Sequence, residues 1–120
     1  MLNSATRIER KYIRYGCDQR LCVRYRLEGH EFAVYGRCRV VGKGGIGSLL
    51  PAAELEIGQV VSVEIAVSNP TASSTLKAQV KNRNGSNYGF QFLEPDTRAA
   101  AILNPLFRPE AVQVFQPPVH

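Results

Sequence analysis

The sequence lacks the features that mark membrane proteins and disulfide-stabilised secreted proteins. No apolar run approaches the roughly 20 residues that a membrane-spanning helix needs. Residues 1–7 contain no apolar segment of the kind found in a secretory signal. Cys17, Cys22 and Cys38 are the only cysteines, and an odd number favours free thiols in a reducing compartment. These features predict a soluble, cytoplasmic protein with no segment inserted in a membrane.

Side chains arranged for catalysis are also missing. His30 lies in a predicted turn and His120 is the last residue, so neither has an obvious catalytic neighbour. The acidic residues are scattered, and no pair is spaced for general acid–base catalysis. Neither a zinc-binding cysteine spacing nor a P-loop or dinucleotide-binding glycine pattern is present. We therefore expect no enzymatic activity, no metal site and no cofactor.

What the sequence has in excess is positive charge near its N-terminus. The 120 residues suit a single domain, and a hydrophobic content of 44% is that of a globular protein. Residues 1–45 contain ten Lys/Arg and four Asp/Glu, a net charge of +6, whereas residues 46–120 contain five and six, a net charge of −1. This asymmetry suggests an anionic partner for the first third of the chain. The stretch ERKYIRYGCDQRLCVRYR, residues 9–26, is open to three interpretations: a solvated surface, a general nucleic-acid patch or a pocket for a small anion.

Residues 20–41 are predicted to form a β-hairpin, because apolar and polar residues alternate with a period of two. A two-residue Gly29-His30 turn would suit type II′, which prefers glycine at its first position. The inner-face pairs in that register are all apolar or small: Leu27–Phe32, Tyr25–Val34, Val23–Gly36 and Leu21–Cys38. On the outer face the same register sets Arg20 opposite Arg39. Such a like-charge pair is easier to understand if an anion or an acidic neighbour lies between the two side chains.

The rest of the chain predicts more strands and one helix. Alternation or flanking turn residues predict strands at residues 45–51, 59–68, 74–83 and 87–93. Short strands without intervening helices favour a small antiparallel β-barrel. The one predicted helix covers residues 94–104, with Pro95 near its first turn and Pro105 at its end.

The predicted elements divide the chain into three parts. Residues 1–19 form a basic N-terminal arm, residues 20–104 form the barrel and helix, and residues 105–120 form a Pro-rich tail with a short extended segment at 111–115. Residues 1–14 are polar and basic, so we expect them to be poorly ordered without a ligand.

A cluster of glycines follows the second predicted strand. Gly42, Gly44, Gly45 and Gly47 lie within six residues. Glycine lets backbone N–H groups approach a phosphate closely, which suits anion binding. The same cluster also fits a bulged turn between two strands, without any ligand.

Three features of the sequence resemble the PilZ domain, the bacterial receptor for the second messenger cyclic di-GMP. Residues 10–14, RKYIR, match the RxxxR motif that precedes the first barrel strand of the family. The glycine cluster aligns with the second motif, DxSxxG, with Gly45 at its last position. Residues 84–96, NGSNYGFQFLEPD, resemble the closing hairpin before the C-terminal helix. The resemblance covers roughly residues 7–104 and implies a small antiparallel β-barrel with one C-terminal helix.

The resemblance also implies which residues bind the ligand. In PilZ domains the two arginines of the first motif wrap the nucleotide, which here assigns Arg10 and Arg14. A guanidinium can both form a forked contact with phosphate and stack on a base, which the ammonium group of lysine cannot. Lys11 and Arg39 are additional candidates because of their charge and predicted proximity. Gly44 and Gly45 would contribute through the backbone.

The second motif is degenerate. Its Asp position holds Val40 and its Ser position holds Gly42, so both side chains that hydrogen-bond the ligand in the family are absent. Alternation also places Val40 on the inner face of its strand, with Cys38.

Three functional hypotheses follow. The protein is a cyclic di-GMP receptor that transmits the signal to an unidentified protein partner, or a PilZ-like adaptor that has lost nucleotide binding and works through protein contacts. The first is favoured by the retained arginines and the second by Val40 and Gly42. General nucleic-acid binding through the basic hairpin is the third and least favoured hypothesis, and steep salt dependence would support it.

Overall fold

A computed structural model describes residues 13–67 and 75–114. Within these residues the chain forms seven β-strands and one α-helix. The strands are β1 (Ile13–Leu27), β2 (His30–Val41), β3 (Gly45–Leu49), β4 (Val60–Ile65), β5 (Thr75–Asn84), β6 (Asn87–Phe92) and β7 (Val112–Val114), and the helix is α1 (Asp96–Leu103). None of the helical segments described is long and apolar enough to cross a membrane.

The first six strands form a closed antiparallel barrel. Neighbouring strands follow the order β2-β3-β6-β5-β4-β1, and β1 also pairs with β2, which closes the sheet. Every pairing is antiparallel. The predicted fold, a small antiparallel barrel with one C-terminal helix, is confirmed.

Side chains that alternate along the strands fill the barrel. In β4, Val61, Val63 and Ile65 are buried, whereas the residues between them are partly exposed. The same alternation in β5 and β6 buries Val80 and Phe90. Period-two burial of this kind is what a sheet with one solvated face requires, and the sequence shows it directly.

The register of the β1–β2 hairpin differs from the predicted one. Leu27 pairs with His30, so the turn is Glu28-Gly29 and not Gly29-His30. Both turn residues have positive φ, 53° and 82°, as a type I′ turn requires. The pairing is therefore displaced by two residues from the predicted one, and Tyr25 lies opposite Phe32. Because a two-residue displacement keeps every side chain on its face, this error leaves the predicted faces of residues 20–38 unchanged.

The helix covers the barrel with a short apolar face. It spans Asp96–Leu103, slightly less than the predicted 94–104, and continues into a 3₁₀ turn at Asn104–Leu106 that contains Pro105. Ala99 and Leu103 are fully buried, and Leu106 is nearly so. Ile102 and Phe107, predicted to pack on the barrel, are partly buried against its core.

The end of the described chain lies beside its beginning. β7 pairs antiparallel with the first residues of β1, so Ile13 lies opposite Val114 and Tyr15 opposite Val112. The rings of Tyr15 and Phe107 stack with centroids 5.0 Å apart. The short extended segment predicted in the tail is thus a strand that holds the start of β1. β1 runs continuously across the proposed boundary at residue 19. Of residues 1–14, for which poor order without a ligand was predicted, residues 1–12 lie outside the described residues, whereas Ile13 and Arg14 pair with β7.

Candidate ligand-binding site

A cavity of about 400 Å³ lies against the outward side of β2, β3, β6 and β5, where the start of β1 also reaches it. Its size falls within the range of small-molecule sites. Glycines of the paired strands β3 and β6 form part of the wall of this cavity, and we call Gly45, Gly47 and Gly89 the glycine wall. Gly47 of β3 pairs with Gly89 of β6, and the side chain of Asn82 packs against Gly89. Because glycine has no side chain, a ligand can approach the backbone closely at such positions.

Four cations surround this wall. The cavity is lined by Arg14 of β1, Arg39 of β2, Lys81 of β5, and Lys43 of the segment 42–45 at the β2–β3 connection, which we call the glycine loop. No acidic residue is among the described residues that line it. Among the residues that the structure describes, no carboxylate pairs with these four cations, and the positive charge favours an anionic ligand.

The basic side chains outside the cavity behave differently. Arg37 donates a hydrogen bond to the carboxylate of Asp18 at 2.9 Å, and Arg24 donates one to Glu64 at 2.7 Å. The hydrogen bond from Arg37 holds the pKa of Asp18 below its usual value. Arg20 lies opposite Arg37, and not opposite Arg39 as predicted. Asp18 thus supplies the acidic neighbour that the like-charge pair requires.

Strand irregularities bring the site residues to the cavity. The register steps lie between Gly16/Gln19 in β1, Cys38/Val40 in β2 and Val80/Asn82 in β5. Bulges interrupt the alternation of faces and redirect side chains, and they are frequent beside functional sites. In β2 and β5 the redirected residues include Arg39, Val40, Lys81 and Asn82, all of which line the cavity.

The bulge in β2 corrects the expectation for Val40. Its side chain is partly exposed and lines the cavity, whereas Val41 is fully buried in its place. Val40 is therefore not on the inner face with Cys38, because the bulge shifts the alternation by one residue. The side chain at the position that aligns with the Asp of the second motif therefore faces the cavity in this chain.

The glycine loop is a narrow turn between β2 and β3. Gly42 donates its backbone N–H to the Gly45 carbonyl at 2.9 Å, and Gly44 accepts a hydrogen bond from Phe92 N–H at 2.9 Å. A Cβ added to Gly42 would lie 3.4 Å from the Ile13 carbonyl oxygen, so a small side chain fits there. At Gly45 a Cβ would collide with the Phe90 carbonyl, and only glycine allows β3 and β6 to pair this closely. Gly45 thus has a packing reason as well as a proposed ligand role.

The structure brings most of the predicted site residues together. Arg14, Arg39, Gly44 and Gly45 all line the same cavity. Arg10 and Lys11 lie outside the described residues, and their role stays a prediction.

Sequence reasoning missed the contributions of the glycine loop and the far strands. Lys43, Lys81, Asn82, Asn84 and Gln91 also line the cavity. The position of Lys43 inside the glycine cluster was the one available signal. The others reach the site only through the pairing of β5 with β6 and of β6 with β3.

The described residues hold no cluster of three or more His, Cys, Asp or Glu that could bind a metal ion. The four cations that line the cavity are suited to binding an anion.

Comparison with known proteins identifies the class. The family model of the PilZ domain matches residues 8–108, and the chain belongs to the PilZ domain family. No curated protein sequence matches the chain.

Two solved structures share the fold. The PilZ domain of CeSA from a cellulose-synthesising bacterium has 14% identity and a TM-score of 0.61, and the alignment covers 78% of this chain and 94% of that one. The PilZ domain of YcgR from Escherichia coli, solved with c-di-GMP, has 17% identity and a TM-score of 0.60, with coverage of 78% and 87%. At such identities the likeness concerns the fold.

Proposed function

We propose that this protein is a non-enzymatic receptor that binds cyclic di-GMP in the cavity and transmits the signal to a protein partner. The observation that carries the proposal is the four-cation cavity on a glycine wall, in a chain of the PilZ family. A structural neighbour of the chain, the PilZ domain of YcgR, was solved with c-di-GMP. A location in the cytoplasm is part of the proposal, because a second messenger acts inside the cell.

The cations and the side-chain amide of Asn82 have different roles in the recognition of the ligand. Arg10 and Arg14 contact phosphate and stack on guanine, because a planar guanidinium can do both. Arg39, Lys43 and Lys81 add positive charge around the phosphates, whereas the side-chain amide of Asn82 offers a donor and an acceptor for a base edge. The glycine wall leaves room for the bases.

Loss of the second-motif side chains lowers the affinity. Val40 offers no side-chain hydrogen-bond acceptor, and the Gly42 N–H already donates to the Gly45 carbonyl. A hydrogen bond to a charged group contributes roughly 1.5–3 kcal/mol, so loss of the Asp contact weakens binding by about 10- to 150-fold relative to a complete motif.

Titration with cyclic di-GMP, followed by calorimetry and by amide NMR shifts, tests the proposal. We expect the shifts to concentrate at Arg14, Arg39, the glycine loop and Lys81. Arg14→Ala should abolish detectable binding. Arg26→Ala is the matched control, because Arg26 is an exposed arginine of the same strand that does not line the cavity. No shift with millimolar ligand would reject the receptor function.

A gain-of-function variant tests the role of the degenerate motif. Val40→Asp with Gly42→Ser should tighten binding, because Val40 faces the cavity and Gly42 has room for a small side chain. Unchanged affinity in a folded double variant would show that these positions do not contact the ligand.

The alternative function is that of a PilZ-like adaptor without nucleotide binding, and the observation that favours it is the absence of the two second-motif side chains. Nucleic-acid binding would instead show a steep loss of oligonucleotide affinity with salt and no preference for the cyclic dinucleotide.

A further inference from the structure

Two cysteines lie together at the base of the β1–β2 hairpin. The Sγ atoms of Cys17 and Cys38 are 3.6 Å apart. Cys17 is half-buried, whereas Cys38 is fully buried, and both are free thiols. Cys17 occupies the β1 bulge, between Gly16 and Gln19. The proposed contacts with the ligand involve neither thiol.

The two thiols differ in reactivity. The hydrogen bond between the two sulfur atoms lowers the pKa of Cys17 and raises the pKa of Cys38, and burial raises the pKa of Cys38 further. The charge of Arg39 acts in the same direction on Cys17. Cys17 is thus the more nucleophilic and more accessible thiol, which are the features of an oxidant-sensitive cysteine.

The two cysteines lie on β1 and β2, the strands that contribute Arg14, Arg39 and Val40 to the lining of the cavity. Arg14 lies three residues before Cys17 in β1, and Arg39 and Val40 directly follow Cys38 in β2. Cys17 Sγ lies 3.3 Å from the Cys38 carbonyl oxygen, and Cys38 Sγ lies 3.6 Å from the Val40 carbonyl oxygen. Both thiol contacts help to hold the bulge that turns Val40 towards the cavity.

We propose that Cys17 and Cys38 form an oxidative modification site, at which hydrogen peroxide produces an intramolecular disulfide that rearranges the β2 side of the cavity. The Cys17 thiolate attacks peroxide to give a sulfenic acid, and the released hydroxide takes up a proton to form water. The Cys38 sulfur then attacks the Cys17 sulfur, which forms the S–S bond and releases a second water. Two thiols are oxidised and one peroxide is reduced.

The disulfide changes the cavity in a defined direction. The two sulfurs move from 3.6 Å to about 2 Å apart, and both S–H donors are lost. The carbonyl groups of Cys38 and Val40 lose their thiol contacts, so the bulge beside Arg39 shifts. The consequence for cyclic di-GMP rests on the proposed function: we expect the oxidised protein to bind it about 5-fold or more weakly, a typical size for coupling between sites.

Coupling of this kind is reciprocal. A ligand that prefers the reduced form must disfavour oxidation by the same factor. Saturating cyclic di-GMP should therefore lower the equilibrium constant for disulfide formation in a glutathione buffer by the factor found in the binding titration. The binding titration and the glutathione equilibrium thus measure the same coupling factor independently.

The test begins without any ligand. Wild-type protein is treated with peroxide, its remaining thiols are alkylated, and peptides are mapped by mass spectrometry. We expect a Cys17–Cys38 linkage, with Cys22 alkylated only after unfolding because it is buried. Amide NMR shifts should then change at Arg39 and Val40 on oxidation and return with a thiol reductant. A disulfide through Cys22, a disulfide between chains, or no disulfide at all would overturn the proposal. Amide shifts at Arg39 and Val40 that do not change when the disulfide forms would also overturn it.

The Cys17→Ser variant is the matched control, because the serine hydroxyl can still donate to the Cys38 carbonyl oxygen but cannot form a disulfide. It should bind ligand as the reduced wild type does and should not respond to peroxide. If cyclic di-GMP fails to bind even the reduced protein, the receptor function falls, while the mapped disulfide and the cavity shifts still decide the thiol proposal. If reduced and oxidised proteins bind equally, the coupling is wrong.

Discussion

The β1–β2 hairpin is regular at its tip and irregular at its base. At the tip (residues 25–32) each residue pairs in unbroken register around a two-residue turn, and Tyr25 stacks on Phe32 with ring centroids 5.5 Å apart. At the base (residues 13–19 and 37–41) both strands contain bulges, and β1 meets β7 while β2 meets β3. The candidate site lies at the base.

The two regions also differ in what packs on them. Leu27 and Phe32 of the tip are 54% and 42% exposed, although they lie on the same face as buried residues further along each strand. The irregular backbone of the base is instead packed against its neighbours. There β1 pairs with β7, β2 pairs with β3, and the ring of Phe107 stacks on Tyr15. Regular alternation thus marks the scaffold, whereas the departures from it mark the site.

The largest expected effect tests this difference in packing with one residue type on one strand. Leu21 is 2% exposed, so Leu21→Ala should destabilise the protein by about 2–5 kcal/mol. Leu27→Ala should change the free energy of unfolding by no more than about 0.5 kcal/mol. Urea denaturation of both variants measures the difference. Equal losses would mean that the tip is packed in solution.

Two adjacent glycines test the tight packing on the cavity side. A Cβ at Gly45 collides with the Phe90 carbonyl, so Gly45→Ala should cost about 1–3 kcal/mol. Gly44 has no atom within 4 Å of such a Cβ and does not have a positive φ, so Gly44→Ala should cost no more than about 0.5 kcal/mol. Thermal unfolding of the two variants distinguishes them. A stable Gly45→Ala protein would contradict the close approach of β3 and β6.

The turn at the tip can be improved. Glu28 is the one non-glycine residue with positive φ among residues 13–67 and 75–114. Asparagine tolerates this conformation better than glutamate, and Asn-Gly is the preferred type I′ turn. Glu28→Asn should raise the free energy of unfolding by about 0.5–1 kcal/mol. Glu31→Asn, outside the turn, is the control, and a matching gain there would remove the turn explanation.

The smallest effect concerns the ion pair at the base. The hydrogen bond from Arg37 lowers the pKa of Asp18 from its usual 3.8, so the carboxylate favours the folded state above that pH and loses this contribution as the pH falls through the lowered pKa. Arg37→Gln should therefore raise the pKa of Asp18. Carboxyl NMR titration of the wild type and the variant measures the shift.

The sequence was sufficient for the fold because period-two patterns decide which face of each strand is buried. It was insufficient for the hairpin register, because a displacement by two residues leaves that pattern intact and Gly29 suits either turn. The choice depends on Glu28 adopting a positive φ, which no propensity favours.

The site was predicted in part for the same physical reason. Arg14 lies in the first motif and Gly44 and Gly45 lie in the second, and the spacing of both motifs can be recognised in the sequence. Lys81 and Asn82 reach the cavity through a bulge and through strand pairing between distant segments, and neither has a local sequence signal. Val40 shows the reverse case, because alternation assigned it to the wrong face.

The pairing of β7 with β1 has a consequence for the order of folding. Ile13 and Val114 are partners although nearly the whole described chain separates them. During synthesis the N-terminal part of a domain becomes available first, and contacts distant in sequence carry the largest loop-closure cost. The β2–β6 wall of the cavity can therefore form before Arg14 is fixed in place. A nascent or C-terminally shortened chain would have a folded barrel with an unfinished anion site.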